Sequence, residues 1–395
     1  MTRLSRSSQP ALQGGAWALV GIVGWIGLLR LGWSLWDQVP PRAGFDLALL
    51  LEAARHVAQG QSPYDPAMLA GASPAATALF YSYPPPVAQV LTLVAGLPDG
   101  LALILWGVGS VLGLGVIGAL LARSLKRGAG VGSVLVRTCL LAPLILPFTI
   151  ALLFGNLDAW YPLAYGLVLL ASLPGASRRA TAAGGIAVAI VVIAKLHPIA
   201  LVVWLAARVL RERGGPTGKT LGIAFAAGVG IVALSLLTGG PGPWLDYAKV
   251  VQTGAGADLV DPRNIGPVSL LGQVAGLDSA ALRLAAGVVA VLAIAGAAVA
   301  GWRARDTVWS FALAATASLV VLPVTWYHYP VALMPVGIVL LLRHPQARPR
   351  LVVAAVAAAL AMAWPALLWI AVALVLGEAW RAGRSDPIGL DGAKL

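Results

Sequence analysis

The chain has 395 residues, of which 59% are hydrophobic and 11% are charged, and its formal net charge is +12 at pH 7. Soluble domains carry about 25% charged residues, so the composition excludes a soluble globular protein. Apolar stretches of roughly 20 residues, long enough to cross a bilayer, recur along the chain. We therefore interpret residues 1–395 as a single all-α, polytopic membrane domain.

The basic residues occur in short clusters at the ends of apolar segments, which is the pattern of cytoplasmic loops. Topology and anionic lipid explain this excess of positive charge better than a nucleic-acid partner does. Cys139 is the only cysteine, so an intrachain disulfide is excluded. The basic clusters are Arg3/Arg6, Arg123/Lys126/Arg127, Arg178/Arg179, Arg208/Arg211/Arg213/Lys219, Arg303/Arg305 and Arg343/Arg348/Arg350.

The first predicted element is a helix over residues 16–35 that leaves the cytoplasm. An outer loop over about residues 36–100 follows. Residues 46–59 of this loop predict an amphipathic helix that lies flat on the membrane surface. Its polar stripe holds Glu52, Arg55, His56 and Gln59, and its apolar face holds Leu49, Leu50, Ala53 and Val57. Residues 87–97 predict a short helix embedded in the outer half of the membrane.

The remaining apolar segments alternate in direction, and a second outer loop covers about residues 238–279. The two outer loops form the expected active-site face. Residues 351–380 form either one long helix or two short ones broken at Trp364-Pro365, so we predict 11 or 12 spans. The other predicted spans are 101–121, 132–154, 156–173, 181–195, 198–210, 221–237, 280–302, 308–326 and 330–342.

Asp46 stands at the start of the amphipathic helix. At ~100° per residue it lies roughly 130° from the centre of the polar stripe, so it points toward the apolar side. One interpretation is a helix N-cap, which aspartate favours. The other is a general base at the edge of a dry cavity, where the pKa of a carboxyl group rises. The two interpretations are compatible.

A set of short motifs follows one order along the chain. The motifs are Gly44-Phe45-Asp46, Pro63-Tyr64, Tyr83-Pro84-Pro85, Gly155-Asn156, Lys195-Leu196-His197-Pro198, Asn264 with Ser269, and Trp326-Tyr327-His328. This ordered set resembles glycosyltransferase family 87, the polyprenol-phosphate-mannose-dependent mannosyltransferases of the glycosyltransferase C superfamily. The sequence departs from that family at Leu50-Leu51, where an aromatic pair is common, and at Tyr327, where a histidine is common. These departures leave the acceptor and the sugar open.

The resemblance implies a glycosyltransferase C-like bundle of 11–12 transmembrane helices with outer juxtamembrane helices. It implies inverting transfer of a hexose, with mannose as the family's sugar, from a polyprenyl-phosphate donor to a glycolipid or glycan acceptor. The expected location is the outer face of a bacterial cytoplasmic membrane. Asp46 resembles the family's catalytic aspartate and is the expected base.

The other candidate site residues lie near the predicted outer surface. For the donor phosphate we expect Lys195, His197, Arg263 and His328, and for the sugar or acceptor Tyr83, Asn156, Asn264 and Trp326. Each has a structural alternative, such as a snorkelling lysine or an interfacial aromatic residue. The four histidines lack metal-ligand spacing, so we expect no metal and no cofactor besides the lipid-linked donor.

Other protein classes also use charges inside membranes. The main alternative is a transporter or flippase, which places its functional charges near the bilayer midplane. An O-antigen ligase or polymerase also uses lipid-linked sugars, but the motif order from residue 46 to 85 fits it less well. A third alternative is a structural scaffold protein, but that function would leave the polar residues near the predicted outer surface unexplained.

Overall fold

The structure is a computed structural model that describes residues 9–39, 41–72, 79–125 and 130–386. Over these ranges the chain forms helices, turns and loops, and no strand. In chain order the α-helices are α1 (Gln9–Trp36), α2 (Phe45–Ala58), α3 (Pro66–Leu69), α4 (Pro85–Leu91), α5 (Asp99–Ser124), α6 (Val131–Leu141), α7 (Leu146–Phe154), α8 (Tyr161–Ser172), α9 (Arg178–Ala194), α10 (Ile199–Glu212), α11 (Gly215–Gly239), α12 (Gly242–Val260), α13 (Pro267–Ala275), α14 (Ser279–Arg303), α15 (Thr307–Ser318), α16 (Met334–Arg343), α17 (Arg348–Leu360) and α18 (Ala366–Ser385).

Five helices in the described part of the chain are long and apolar enough to cross a membrane: α1, α5, α11, α14 and α18. Their mean hydropathy lies between 1.5 and 2.3. This confirms the predicted all-helical, polytopic membrane fold. The predicted count of 11 or 12 spans is larger, because several segments predicted as single spans are shorter or interrupted helices.

The segment predicted as one span over residues 132–154 is instead a bent pair. Its two halves, Val131–Leu144 and Leu146–Phe154, meet at an angle of 81°. Pro143 and Pro147 flank the bend. Proline lacks a backbone N–H and clashes with the preceding turn, so a straight helix cannot continue through it.

Two other predicted elements need correction, and for a third the structure selects one of the two alternatives that were predicted. Residues 238–279, predicted as a loop, hold helices α12 and α13. The span predicted to end at Trp326 ends at Ser318, because α15 stops there and residues 319–328 form an irregular segment. The ambiguous stretch 351–380 is two helices, α17 and α18, which break at Trp364-Pro365 and pack against each other.

Capping residues define where several helices begin. Ser177 accepts a hydrogen bond from the Ala180 N–H at the start of α9. Asp278 and Asp306 do the same for α14 and α15. Such side chains satisfy N–H groups that have no partner inside the helix, and each contributes about 1 kcal/mol.

The main core lies between α8, α9, α10, α15 and α16. It contains large side chains that are fully buried, such as Trp204, Tyr165 and Phe311. A smaller core joins α2 to α4 and α5. The amphipathic helix predicted at residues 46–59 is α2, but its buried face includes Leu47 and Leu51, whereas Leu49 and Val57 are half-buried.

The helices of the main core are interrupted on one side of the bundle. Residues 195–198 separate α9 from α10, residues 155–160 separate α7 from α8, and residues 319–333 separate α15 from α16. Irregular backbone at membrane depth is tolerated only where protein covers it or where it lines a cavity. The shared position of these breaks therefore indicates a polar site.

Candidate active site

Two glycines bring the start of α2 against the end of α7. Gly44 precedes α2 with a φ of 71°, and its N–H donates to the Leu153 carbonyl at 2.7 Å. Gly155 ends α7 with a φ of 67°. A Cβ at Gly155 would lie 2.5 Å from the Leu47 Cβ, so only glycine permits this approach. The contact places Asp46 beside Asn156.

Asn156 holds the Asp46 carboxylate. Its Nδ2 donates to Asp46 Oδ2 at 2.8 Å, and its Oδ1 accepts from the Asp158 N–H at 2.9 Å. These two contacts fix which end of the amide faces which partner. The Trp106 indole N–H donates to the Asn156 carbonyl at 3.2 Å, which anchors the residue from α5.

Asp158 is a functional candidate that the sequence analysis missed. Its side chain is fully buried, and its Oδ1 lies 2.9 Å from Lys195 Nζ. Its Oδ2 lies 3.3 Å from His328 Nε2, without hydrogen-bond geometry. The available signal was an isolated carboxylate in a predicted span, which marks a functional position.

Lys195 lies in extended backbone directly after α9, and only 11% of its side chain is exposed. Its ammonium group lies 4.8 Å from the centre of the Tyr329 ring and 5.5 Å from that of Tyr83. Aromatic faces attract cations at such distances. Lys195 therefore has the anionic partner that an intramembrane lysine requires, and it lies among rings that face the same site.

The two histidines differ in their positions. His328 precedes the 3-10 turn Tyr329–Leu333 and faces Asp158. His197 lies behind it, fully buried, with its ring stacked on Tyr329 at 4.7 Å and its Nδ1–H donating to the Ser318 carbonyl at 3.0 Å. Burial lowers the pKa of His197 to about 3 and that of His328 well below its usual range. Both rings are therefore neutral at neutral pH.

Arg263 forms a second ion pair, with Asp261. Its guanidinium lies 2.6 Å from the buried Asp261 carboxylate and 5.7 Å from the centre of the Trp326 ring. The side chain is 41% exposed. Its positive charge lowers the pKa of Asp46, so Arg263 lies within electrostatic reach of the carboxylate.

Asn264 connects the segment between α12 and α13 to the irregular segment after α15. Its buried side chain accepts hydrogen bonds from the Gly266 and Thr325 N–H groups at 2.9 and 3.0 Å. Its Nδ2 donates to the Pro323 carbonyl at 2.9 Å. The structure thus places Asn264 beneath the segment that carries Trp326 and His328.

Burial has the largest effect on Asp46 and raises the pKa of this carboxyl group. The Asn156 hydrogen bond and the charges of Lys195 and Arg263 oppose the increase, while the charge of Asp158 adds to it. The charges of Asp46 and Asp158 add to the effect of burial in raising the pKa of the Tyr83 phenol, whose ring centre lies 5.5 Å from the Lys195 ammonium group. The site therefore contains a carboxylate suited to accept a proton, with cations nearby that suit an anion.

The structure brings together Asp46, Tyr83, Asn156, Lys195 and His328, with Arg263 and Trp326 at the side. His197 and Asn264 lie behind these residues. A protein-family model described as glycosyltransferase family 87 matches residues 81–323, more than half of the chain. Asp46, Trp326 and His328 lie outside the matched segment. Comparison with curated protein sequences gives no match.

Proposed function

The chain belongs to glycosyltransferase family 87, and on that basis we propose that it transfers a hexose from a polyprenyl-phosphate donor to a glycolipid or glycan acceptor. It is a multi-pass membrane glycosyltransferase. The proposal adds the lipid-linked donor, inversion at the anomeric carbon, and a site at the outer face of a bacterial cytoplasmic membrane. Mannose is the proposed sugar, because the motifs resemble mannosyltransferases.

The observation that carries this proposal is the contact between Asp46 and Asn156, with the Lys195–Asp158 ion pair adjacent. The Asn156 amide holds the carboxylate at 2.8 Å, and Lys195 lies 2.9 Å from Asp158. A base must reach the acceptor hydroxyl, and positive charge must meet the leaving phosphate. Both requirements are met by side chains in one cluster.

In the proposed reaction the acceptor hydroxyl loses its proton to Asp46 while its oxygen attacks the anomeric carbon. The bond between that carbon and the phosphate oxygen breaks, and polyprenyl phosphate leaves with the bonding electrons. Lys195 and Arg263 neutralise the growing charge on the phosphate. His328, which is neutral and lies beside Asp158, donates a hydrogen bond to the phosphate in this proposal.

The ends of the helices support a site at the outer face. Helix α9 begins at Arg178-Arg179 and ends before Lys195, and α10 returns to Arg211. The Arg211 guanidinium donates to the Ala304 carbonyl, so the ends of α10 and α14 lie on the same side. Basic residues mark the cytoplasmic side, and Lys195 lies at the opposite ends of α9 and α10.

The central test is Asp46→Asn, assayed as transfer of labelled mannose from polyprenyl-phosphate-mannose in proteoliposomes. Loss of a general base lowers the rate by about 10²- to 10⁴-fold, so we expect a decrease in that range. Asp99→Asn is the matched control, because Asp99 is a half-exposed outer carboxylate paired with Arg55. Full activity of Asp46→Asn would remove Asp46 from the mechanism, and parallel assays with glucose and arabinose donors would test the sugar.

We also propose that transfer needs no metal ion, because Lys195 and Arg263 supply positive charge for the phosphate. Incubation of the purified enzyme with EDTA should therefore leave the transfer rate within about twofold of the untreated rate. EDTA removes metal ions but not the two side-chain charges that stabilise the leaving phosphate. Loss of activity with EDTA and recovery with a divalent cation would contradict this proposal.

A further inference from the structure

A cavity of about 630 Å³ lies outside the Asp46 cluster, between α12, α14 and the segment after α15. This volume is within the range of sites that bind small molecules, roughly 300–1,000 Å³. Its lining includes Gln252, Thr253, Arg283, Gly287, Ala290 and Val321. The polar members are few, and one of them carries a full positive charge.

One face of α14 lines the cavity, with Arg283 followed by the small residues Gly287 and Ala290. Arg283, Gly287 and Ala290 recur at intervals of four and three residues, so they share a face. A Cβ on Gly287 would meet no atom within 4 Å. Seven residues of helix span roughly 10 Å. Because α14 runs toward the basic cytoplasmic end at Arg303, Arg283 lies at the outer end of the cavity and Ala290 lies deeper in the membrane.

The arrangement fits an amphiphile with a negative head group at Arg283 and a hydrocarbon chain below it. That head group is distinct from the donor's phosphate. The donor's phosphate is bonded to the attacked carbon, so it must lie beside Asp46. Asp46, Asn156 and Lys195 do not line this cavity, whereas Arg283 does. An anion at Arg283 therefore belongs to a second molecule.

The cavity also touches the segment that leads into the active site. Pro323 lines the cavity, and its carbonyl accepts the hydrogen bond from Asn264. Asn264 also accepts from the N–H of Thr325, the residue before Trp326. A molecule in the cavity therefore packs against the wall whose other end carries Trp326 and His328.

We propose that this cavity binds one anionic phospholipid of the outer leaflet. Its phosphate lies against the Arg283 guanidinium, and one of its hydrocarbon chains lies along Gly287 and Ala290. The exposed arginine and the apolar interior at greater depth match the charge and the chain of such a lipid. The binding of this lipid depends on the membrane fold and the cavity, and only the distinction from the donor's phosphate rests on the proposed function.

The test is native mass spectrometry of the full chain in neutral detergent, titrated with phosphatidylglycerol or phosphatidylcholine. The wild-type chain should bind one phosphatidylglycerol more tightly than any phosphatidylcholine. Gly287→Leu places a branched side chain where the hydrocarbon chain of the lipid would lie and should weaken this binding at least tenfold. Gly296→Leu is the matched control, because Gly296 is exposed on the same helix, has no atom within 4 Å of an added Cβ and does not line the cavity.

Arg283→Gln should weaken phosphatidylglycerol binding about fivefold, the effect of one basic residue near an anionic head group, and should leave phosphatidylcholine binding unchanged. Equal binding of phosphatidylglycerol by the Gly287→Leu and Gly296→Leu variants would overturn the proposal. So would equally effective competition by glycerol phosphate, which has the head group and no chain. Neither measurement requires catalysis, so failure here is distinguishable from failure of the proposed function.

Discussion

At the scale of single residues, Asp158 connects groups that come from three breaks in the bundle. It lies between α7 and α8, Lys195 lies between α9 and α10, and His328 lies between α15 and α16. Both of its carboxylate oxygens face one of these partners. A fully buried carboxylate requires such partners, because an isolated buried charge is strongly unfavourable. Asp158 therefore positions Lys195 as well as stabilising it.

Asp158→Asn should destabilise the protein and lower activity. Removal of one partner from a buried ion pair costs about 3–5 kcal/mol, since the other charge stays buried without compensation. The double variant Asp158→Asn/Lys195→Met replaces both charges and should recover much of the stability. Unfolding in detergent, followed by tryptophan fluorescence, measures the stability, and the proteoliposome assay measures transfer.

The double variant separates a structural role from a positioning role. If Lys195 binds the donor's phosphate, the double variant should be stable and should have a KM for the donor at least tenfold above wild type. Normal donor KM in the stable double variant would limit the Lys195–Asp158 pair to structure. Lys249→Met, a change of an exposed lysine on α12, is the control for the loss of one positive charge.

The pH dependence of transfer depends on Asp46. Burial raises the pKa of this carboxyl group above its ordinary range, and the base must be unprotonated. The rate should therefore fall as the pH falls through that raised pKa. The Asn156 amide donates to the charged carboxylate and so lowers the pKa. Asn156→Ala should raise the pKa further and move the acid limb of kcat/KM to higher pH.

The measurement is kcat/KM as a function of pH for wild type and Asn156→Ala. Because burial lowers the pKa of both His197 and His328, protonation of these rings occurs at lower pH than for an ordinary histidine. An acid limb that stays at the same pH in Asn156→Ala would show that another group controls it.

The sequence predicted which residues lie near this site better than it predicted the directions in which their side chains point. Asp46, Asn156, Lys195 and His328 were all candidates, and the structure brings them together. Asn264 and His197 were candidates on the same grounds, but their side chains hydrogen-bond to backbone carbonyls of other segments. The direction of a side chain at a helix break depends on backbone angles and long-range packing, and these cannot be predicted from local sequence.

At the scale of secondary-structure elements, the start of α2 and the end of α7 define the geometry of the site. Gly155→Ala should separate them. Gly155 has a φ of 67°, and a residue with a Cβ is about 1–2 kcal/mol less stable than glycine in this left-handed conformation. The added methyl group would also lie 2.5 Å from the Leu47 Cβ. We expect a loss of stability of at least that size and a fall in transfer rate, because Asn156 moves away from Asp46.

Gly132→Ala is the matched control for this prediction. Gly132 lies in α6, is exposed, and has no atom within 4 Å of an added Cβ. Alanine in a helix is favoured over glycine by about 0.5–1 kcal/mol, so this variant should be as stable as wild type or more stable. Wild-type stability and activity in Gly155→Ala would show that the contact between Gly155 and Leu47 does not hold α2 in its position.

The pattern of apolar segments predicted the positions of the helices, but it did not predict the residues at which they end. The spans predicted at 101–121, 221–237 and 280–302 correspond to α5, α11 and α14, which are uninterrupted. The span predicted at 308–326 ends early because residues 323–325 bond to Asn264 and Ile265 instead of continuing the helix. Hydropathy measures how favourably side chains transfer into lipid. It contains no information about backbone N–H and C=O groups that hydrogen-bond to a distant segment instead of within a helix.

At the scale of the whole molecule, the bundle has a polar end and a basic end. Asp46, Asn156 and Lys195 lie at the first, and the ends of α10 and α14 lie at the second. The basic end contains buried ion pairs of its own, such as Arg208 with Glu212 at 2.8 Å. Charge asymmetry of this kind orients a membrane protein during insertion, so the polar end should face away from the cytoplasm.

Cysteine labelling tests this orientation directly. In a Cys139→Ala background, Gln61→Cys places a thiol in the exposed loop after α2, and Gln346→Cys places one in the exposed turn between α16 and α17. A membrane-impermeant maleimide added to intact cells should label position 61 and should label position 346 only after permeabilisation. Because α2 carries Asp46 and α16 ends in the basic Arg343, the reverse pattern would place the carboxylate in the cytoplasm. A donor presented at the outer leaflet would then have no route to it, and the proposed reaction would fail at the level of topology.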